Sequence, residues 1–436
     1  SILVSTCFCI EIVFSILGSS EEFEKYISSP TNDRQRAVVD AFKFSWKGYK
    51  DHAWGHDNLK PVSGMPYDWF SLGLTIVDAL DTAYIMGLQD ERSVARSLRL
   101  TTSCDYNNAS VLYILSVYKL FVILQLDLGE RLMEAFSSPS GIPYSDVNLG
   151  ARTAHAPEWS HYSTTAEVTT VQLEFRELSR ASNNPAFEVT AAVSEKIHQL
   201  PKKHGLVPIF INPNTGNFLP YATITLGARG DSYYEYLLKQ WLQTGKTINY
   251  LLDDYLTAIE GVREFLAKRS SPNKRLFIGE LSAGSESFSP KMDHLTCFLP
   301  GTLALGHNNG LPDWHLKMAE ELLYTSNVYS DAHSLLRPEF VESLWYMYQI
   351  TGNTTFQDWG WQIFQGFEKY AKAAYGYSSL ANVKSEKPVM RDQMESFFLS
   401  ETLKYLYLLF SDDRHLIDLG KYVINSEAHA LPIHQN

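Results

Sequence analysis

Two glutamates, Glu339 and Glu342, follow Pro338 at the start of a predicted helix and could perform acid–base chemistry. Pro338 suits the first turn of a helix, where its missing N–H is not needed. The spacing of the two glutamates places both carboxylates on one face, near the positive end of the helix dipole. The pair can therefore be a general base with a supporting acid, or it can only complement the dipole. The apolar run Leu344–Tyr348 is expected to bury the helix.

Other acidic residues also lie near the starts of predicted helices. Asp231 and Glu235 are four residues apart and share a helical face, as do Phe397 and Glu401, and Glu167 begins another helix. Taken singly, each is more often a cap, a surface charge or a satisfied core residue. Taken together with neighbouring aromatic residues, they indicate an acidic, aromatic-lined cavity at one end of a helical barrel, where a sugar could bind.

The elements that position these residues are mainly helices joined by short polar turns. Such serial helical hairpins predict an all-α fold, either a bundle array or an (α/α) toroid. Short strands are predicted at Gly205–Phe210 and Tyr221–Leu226, and a buried helix at Val111–Leu126. The other predicted helices are Arg34–Tyr49, Leu72–Gly87, Thr165–Arg180, Ala186–Leu200, Asp231–Leu242, Ile248–Lys268, Val341–Ile350, Phe356–Ala374, Met394–Phe410 and His415–Val423.

Composition limits the class of protein. The 436 residues are 45% hydrophobic and 13% aromatic, which suffices for one large domain or two average ones. The net charge of −12 argues against a phosphate-binding surface, so no nucleic-acid partner is expected. The many tyrosines and tryptophans suit a core or a sugar-binding cavity, because their rings have flat apolar faces and polar tips.

The four cysteines do not have the spacing of a zinc site. Sequons at Asn108 and Asn353 give mild support for a secretory location. Ser1–Leu17 is mostly apolar but is interrupted by Glu11, so we expect a remnant of a signal anchor that would tether the protein to a membrane. On this basis the N-terminal segment spans residues 1–30 and the main domain spans residues 31–436.

A series of motifs follows along the chain at Arg34–Arg36, Ala53–Asp57, Leu74–Gly87, Ile142–Asn148, Leu226–Arg229, Asp231–Trp241, Lys291–Leu295, Leu336–Leu344, Glu395–Leu409 and Asn425–His429. In this order they resemble the motifs of the class I α-mannosidases, glycoside hydrolase family 47. The run from Asp231 to Trp241 is most similar to the endoplasmic-reticulum branch of that family.

The resemblance implies an all-α (αα)7 barrel, plugged at one end by a C-terminal hairpin. It implies hydrolysis of terminal α1,2-linked mannose from high-mannose N-glycans on glycoproteins, with inversion, in the lumen of the endoplasmic reticulum or the Golgi. An inverting glycosidase needs an acid for the leaving oxygen and a base for water, with their carboxyl groups roughly 6.5–9.5 Å apart.

By motif match, Glu339 is the expected catalytic base and Asp231 an acidic catalytic partner. The resemblance also implies a set of residues that contact the sugar. Its acidic members are Glu167, Glu342, Glu401 and Glu427, and its polar and stacking members are Arg229, His294, Arg337 and Phe397.

The family binds Ca²⁺ through the hydroxyl and carbonyl oxygens of a threonine, completed by water, and Ser426 stands at that position here. Serine keeps both oxygens, which are the hard ligands that Ca²⁺ prefers. It lacks the β-methyl group that stiffens χ1. We therefore predict weaker Ca²⁺ binding rather than its loss.

The chain departs from the family in two places. The family's catalytic acid is a glutamate, but no glutamate lies between Glu91 and Glu130, where only Asp105 and Asp127 are acidic. A second segment of the family, with another glutamate and a cysteine, is missing between residues 325 and 333, so Cys297 lacks an obvious disulfide partner.

These departures leave two interpretations, of which we favour the first. The first is that the sequence is an incomplete or mis-spliced product, with an incomplete barrel, whose intact form is the enzyme. The second is that this form is a real, catalytically weakened protein that still binds mannose.

Overall fold

The computed structural model describes residues 29–88, 126–157, 160–282, 287–327 and 333–434. Helices dominate this part of the chain. They are α1 (Asp33–His52), α2 (Leu74–Ile85), α3 (Thr165–Thr169), α4 (Gln172–Ser182), α5 (Val189–Gln199), α6 (Asp231–Gln243), α7 (Asn249–Gly261), α8 (Leu299–Asn308), α9 (Trp314–Ser326), α10 (Glu339–Thr351), α11 (Thr355–Gly366) and α12 (Leu403–Leu409).

Several helices adjoin short turns of another helical type. Helices α7 and α11 continue into π-helical turns at Val262–Leu266 and Phe367–Ala371, and α12 follows a third π-helical turn at Phe398–Thr402. Single π-helical turns are frequent at functional sites, and the third one carries Glu401.

Short antiparallel strands form two-stranded sheets between the helices. The pairs are β1 (Asn58–Lys60) with β2 (Met65–Tyr67), β3 (Asp146–Asn148) with β4 (Thr153–His155), β5 (Ser163–Thr164) with β6 (Phe210–Ile211), β7 (Ala267–Arg269) with β8 (Leu276–Ile278), β9 (Glu280–Leu281) with β10 (Phe288–Ser289), and β11 (Tyr422–Ile424) with β12 (Ala430–Pro432).

The described residues divide into two compact units. Unit 1 contains those within Ile114–Thr296 and Leu419–Asn436, and unit 2 contains those within Leu17–Tyr113 and Cys297–Asp418.

The core of unit 1 joins α4 and α6 to the C-terminal hairpin. Leu173 and Phe175 on α4 pack with Tyr236 on α6 and with Val423 and Leu431 of the hairpin, and all five are buried. The two hairpin residues lie directly opposite each other in the β11–β12 register. Burial of this apolar surface fixes the hairpin on the helices, since each such side chain contributes about 1.5–3 kcal/mol.

The core of unit 2 is built on α10, which packs against α8, α11 and α12. Trp345 is fully buried and its ring centroid lies 5.5 Å from that of Tyr405 on α12. The helix begins where the sequence predicts, since Pro338 precedes its first residue, Glu339, and it ends at Gly352, whose φ of 71° is readily adopted only by glycine.

Two predicted helices and two predicted strands differ from the structure. The predicted helix Thr165–Arg180 is broken between α3 and α4, where the Thr169 and Thr170 hydroxyls bond back to the Thr165 and Ala166 carbonyls, each at 2.7 Å. Such side-chain bonds to the backbone compete with the helix.

The predicted helix His415–Val423 is wrong, because this segment forms turns and enters β11, whose pairing with β12 outweighs local helical periodicity. The predicted strands are largely wrong, since these two segments contribute only Phe210 to β6 and single bridges at Leu206 and Ile224.

Some predictions fall outside the described residues. These are the apolar segment Ser1–Leu17, the helix Val111–Leu126 except its last residue, and the acid candidate Asp105. Among the helices that are described, none is both long enough and apolar enough to cross a bilayer.

Candidate active site

The start of α10 brings a carboxylate, a guanidinium and an aromatic ring together in unit 2. Arg337 Nη1 lies 3.3 Å from Glu339 Oε1, and the Arg337 Cζ atom lies 5.7 Å from the centroid of the Phe397 ring. The preceding Leu336 has a left-handed φ of 62°, which is costly for a residue with a Cβ. The Thr402 hydroxyl donates to the Leu336 carbonyl at 2.7 Å and helps to hold this conformation.

Two further predicted site residues of unit 2 are buried carboxylates. Glu342 is 8% exposed and lies one turn after Glu339 on α10, while Glu401 is 5% exposed on the π-helical turn Phe398–Thr402. Burying carboxylates is unfavourable unless charges or hydrogen bonds compensate. Both carboxylates therefore belong to the interior of the protein and not to its solvent-exposed surface.

Glu395 is an acidic group of unit 2 to which the sequence assigned no role. Burial raises the pKa of its carboxyl, and the nearby positive charges of Arg337 and Arg391 oppose this shift. The Gln393 side-chain amide donates a hydrogen bond to the same carboxyl group. Arg337 thus stands close to both Glu339 and Glu395.

The predicted residues of unit 1 gather around the turn that precedes α6. The N–H groups of Gly230 and Asp231 donate to the Gly227 carbonyl at 3.2 and 3.1 Å, which sets Asp231 at the first position of the helix. Arg229 has a left-handed φ of 75°, and its carbonyl accepts a hydrogen bond from the Ala166 N–H at 2.9 Å. This bond joins the turn to the start of α3.

Helix α3 presents Glu167 in its first turn. Its backbone N–H is capped by the Thr164 hydroxyl at 3.2 Å, and its carboxylate accepts a hydrogen bond from the Ser145 hydroxyl at 2.8 Å. On the other side of the turn, a Cβ added at Gly227 would lie 2.7 Å from the Asp293 Cβ, so the residue before His294 packs directly on the turn. The structure therefore brings Glu167, Arg229, Asp231 and His294 to one region of unit 1.

Ser426 and Glu427 lie in the turn between β11 and β12, also in unit 1. The Ser426 N–H donates to the Tyr236 hydroxyl at 3.3 Å, and Tyr236 lies on α6 shortly after Asp231. The Glu427 N–H donates to Asn425 Oδ1 at 3.1 Å.

The donor atoms of this turn suit Ca²⁺. Across the described ranges, no hydrogen bond uses the hydroxyl or carbonyl oxygen of Ser426, so both remain for a cation. No cluster of three His, Cys, Asp or Glu side chains that could hold a metal ion is found in the same residues. A cation here would thus be bound by the neutral oxygens of Ser426 and by water, a hard-oxygen set that fits Ca²⁺.

Asp127, the alternative acid within the described chain, does not resemble a proton donor. Its carboxylate accepts hydrogen bonds from Arg131 at 2.7 and 3.0 Å, and its side chain is 47% exposed. The hydrogen bond to Arg131 lowers the pKa of Asp127. A carboxylate that is exposed and held ionised forms a surface ion pair rather than a general acid.

Cys297 contacts Ser326, which lies at the edge of the second departure. It is buried, and its Sγ donates to the Ser326 hydroxyl at 3.4 Å.

Several features of the site gave no signal in the sequence. The left-handed residues Arg229, Leu336 and Ala428 are not glycines, so their conformation is set by tertiary contacts. Glu174 on α4 accepts hydrogen bonds from Tyr236 on α6 and from Asn425 in the C-terminal turn, which local spacing does not show.

These observations define a class of protein. An all-α chain with buried carboxylates at helix starts, beside an arginine stacked on an aromatic ring, has the composition of a glycoside hydrolase active site. The chain belongs to glycosyl hydrolase family 47, whose model matches residues 41–329 and 324–433. The two matched stretches meet where the sequence departs from the family near residue 325.

Curated relatives support the same family. The endoplasmic reticulum mannosyl-oligosaccharide 1,2-alpha-mannosidase of Homo sapiens is 50% identical over 92% of this chain and 64% of its own length. The protein of the same name from Mus musculus is 50% identical over 93% of this chain and 69% of its own length. The chain thus spans about two thirds of the length of these relatives.

A solved structure shows the fold. The α-1,2-mannosidase from Trichoderma reesei matches with a TM-score of 0.83 at 24% sequence identity, covering 93% of this chain and 100% of that one. The prediction of an all-α (αα)7 barrel is confirmed by this likeness.

Proposed function

We propose that this chain is an α1,2-mannosidase that removes terminal α1,2-linked mannose from high-mannose N-glycans. The observation that carries the proposal is the contact of Arg337 with Glu339 and Phe397 at the start of α10, in a chain of family 47. The names of the human and mouse relatives support the endoplasmic reticulum as its compartment.

In this proposal Glu339 is the general base. Its carboxylate accepts a proton from water as the water attacks the anomeric carbon, and the configuration at that carbon inverts. Arg337 supplies positive charge beside the carboxylate and holds its orientation through the 3.3 Å contact. Phe397 offers its ring to an apolar face of the sugar.

Asp231 is the acid that we propose for the leaving oxygen. In this proposal it takes over the role of the glutamate that the family carries in a different segment, where this chain has only Asp105 and Asp127. Asp127 is unsuited, because Arg131 keeps it ionised at the surface. Glu167, Glu342, Glu401, Glu427, Arg229 and His294 would bind the sugar hydroxyls.

Ser426 would hold Ca²⁺ through its hydroxyl and carbonyl oxygens. When bound, the cation supplies a coordination site for sugar oxygens, which are hard ligands of the kind it prefers. The turn that carries Ser426 also presents Glu427, so acidic and neutral oxygens stand next to each other there.

A second candidate is a mannosidase-like lectin that binds high-mannose glycans without cleaving them. The absence of a glutamate between Glu91 and Glu130 favours it, since general-acid catalysis contributes about 10²–10⁴-fold to such reactions. A lectin would retain the sugar-binding residues and lose turnover.

Proton NMR of α1,2-mannobiose incubated with the full chain tests the proposed mechanism. We expect β-mannose as the first product, as inversion of an α-linkage requires. Initial release of α-mannose would overturn the inverting assignment. Saturable binding with no release would favour the lectin.

A further inference from the structure

Glu174 is a buried carboxylate of unit 1 that lies outside the predicted sugar and metal ligands. It is on α4 and is 0% exposed. Its Oε1 accepts hydrogen bonds from the Tyr236 hydroxyl at 2.7 Å and from Asn425 Nδ2 at 2.9 Å. Because moving a carboxylate out of water costs several kcal/mol, the groups that compensate its charge are constrained in turn.

Tyr236 connects Glu174 to Ser426 through two hydrogen bonds of its hydroxyl group. A phenolic hydroxyl has one proton, and donating it to the carboxylate leaves the oxygen to accept. The Ser426 N–H donates to that oxygen at 3.3 Å. The carboxylate thus fixes the direction of the hydroxyl that holds the backbone of the proposed Ca²⁺ ligand.

Asn425 connects Glu174 to two other residues of the turn through hydrogen bonds of its side-chain amide. Because its Nδ2 donates to Glu174, its amide plane is fixed and Oδ1 faces the turn. That oxygen accepts from the Glu427 N–H at 3.1 Å and from the His429 N–H at 2.8 Å. Three backbone N–H groups of the turn are therefore directed by one carboxylate.

The turn needs this support. Ala428 has a left-handed φ of 63°, which is unfavourable for a residue with a Cβ. A cation held by the hydroxyl and carbonyl of one residue requires that residue's backbone to be fixed. Serine has a less restricted χ1 than threonine, so its hydroxyl oxygen is less fixed by its own rotamer. Preorganisation of the cation site at Ser426 therefore depends more on the backbone.

We propose that Glu174 is a positioning residue that sets the Ca²⁺ affinity of the turn carrying Ser426, acting through Tyr236 and Asn425. The inference rests on the proposed Ca²⁺ site. Partners that orient metal ligands typically change metal affinity by about 10–100-fold when they are mutated.

Glu177 offers a matched control on the same helix. It is also 0% exposed, but it accepts hydrogen bonds from Arg180 and, at 2.9 Å, pairs with His434 beyond the end of β12. If buried carboxylates of α4 only stabilise the fold, Glu174→Gln and Glu177→Gln should have the same effect on Ca²⁺ affinity.

The experiment titrates Ca²⁺ into the full chain and its variants by calorimetry. We expect Glu174→Gln to weaken binding about 10–100-fold and Glu177→Gln to leave it within about twofold. Tyr236→Phe serves as a milder variant if Glu174→Gln does not fold, and it should weaken binding by severalfold. Equal affinities for Glu174→Gln, Glu177→Gln and the wild type would overturn the inference.

Amide hydrogen exchange without Ca²⁺ separates this inference from the proposed metal site. We expect Glu174→Gln to speed exchange at Ser426, Glu427 and His429 more than Glu177→Gln does. If the wild type binds no Ca²⁺, the proposed metal site fails, while faster exchange would still show that Glu174 positions the turn. Unchanged exchange at the three amides would contradict the positioning role.

Discussion

Arg337 Nη1 lies 3.3 Å from Glu339 Oε1, while the Arg337 guanidinium lies over the ring of Phe397. Arg337 thus contacts both the carboxylate of the proposed base and an aromatic ring that can stack on a sugar. A planar guanidinium suits both contacts, and a lysine would not replace it. The chain enters this helix through the left-handed Leu336, whose carbonyl accepts a hydrogen bond from the Thr402 hydroxyl.

Glu339→Gln should abolish turnover and leave glycan binding within a few-fold of the wild type. The amide cannot accept the proton from water, and loss of a general base costs about 10²–10⁴-fold. Rate measurements and calorimetry with a high-mannose glycan check this. Glu342→Gln, on the same helix, is the control and should act mainly on affinity. Unchanged turnover in Glu339→Gln would remove Glu339 as the base.

Ser426→Thr should tighten Ca²⁺ binding, because the added methyl group restricts χ1 without removing an oxygen. A gain of about 0.5–1 kcal/mol, or roughly two- to fivefold in Kd, is expected from this restriction. Ser426→Ala is the opposite control and should weaken binding by removing the hydroxyl. Weaker binding in Ser426→Thr than in Ser426→Ala would exclude the hydroxyl as a ligand.

Asp57→Asn should destabilise the protein by about 2 kcal/mol or more at pH 7. The Asp57 carboxylate is 0% exposed and accepts hydrogen bonds from the backbone N–H groups of Trp69, Ser71 and Leu72 at 2.9, 2.7 and 2.7 Å, among others. Burial alone would raise the pKa of Asp57, but the backbone donors outweigh it and lower the pKa.

The lowered pKa gives this prediction a pH dependence. The stabilisation is present above the unfolded pKa of about 3.9 and is lost as the pH falls through the lower folded value. Urea unfolding at pH 7 and pH 3 should therefore show a larger difference between wild type and Asp57→Asn at pH 7. A difference in the free energy of unfolding that is larger at pH 3 than at pH 7 would contradict this prediction.

Glu395→Gln should become more stable, relative to the wild type, as the pH rises from 4 to 7. Burial raises the pKa of Glu395, so the folded state favours its protonated form. The stability that this form contributes is present below the unfolded pKa and is lost as the pH rises through the folded pKa. Glutamine mimics the neutral form and avoids that loss. A difference in Tm that stays constant between pH 4 and pH 7 would refute this.

The sequence predicted the helices where periodicity and end signals agree. Helix α10 begins after Pro338 and ends at Gly352, close to the predicted Val341–Ile350. Helix α1 begins after Asn32, whose side chain accepts from the Gln35 N–H at 3.0 Å. In both helices, residues close in sequence determine where the helix begins or ends, so local patterns suffice to predict these boundaries.

The predictions failed where distant contacts decide the conformation. His415–Val423 has a helical pattern, yet Val423 pairs with Leu431 in the C-terminal hairpin. The grouping of Glu167 with Asp231 in unit 1 depends on the hydrogen bond from the Ala166 N–H to the Arg229 carbonyl, which no local signal predicts. The motifs identified the family and the candidate residues, and the tertiary structure revealed Glu174 and Glu395 as additional acidic groups.

The most direct test of the account is release of mannose from a high-mannose N-glycan by the purified full chain, with and without a Ca²⁺ chelator. We expect release that the chelator suppresses and that added Ca²⁺ restores. Glu339→Gln is the inactive control under the same conditions. Glycan binding without any release, with or without Ca²⁺, would contradict the proposed enzyme and would favour a mannose-binding protein.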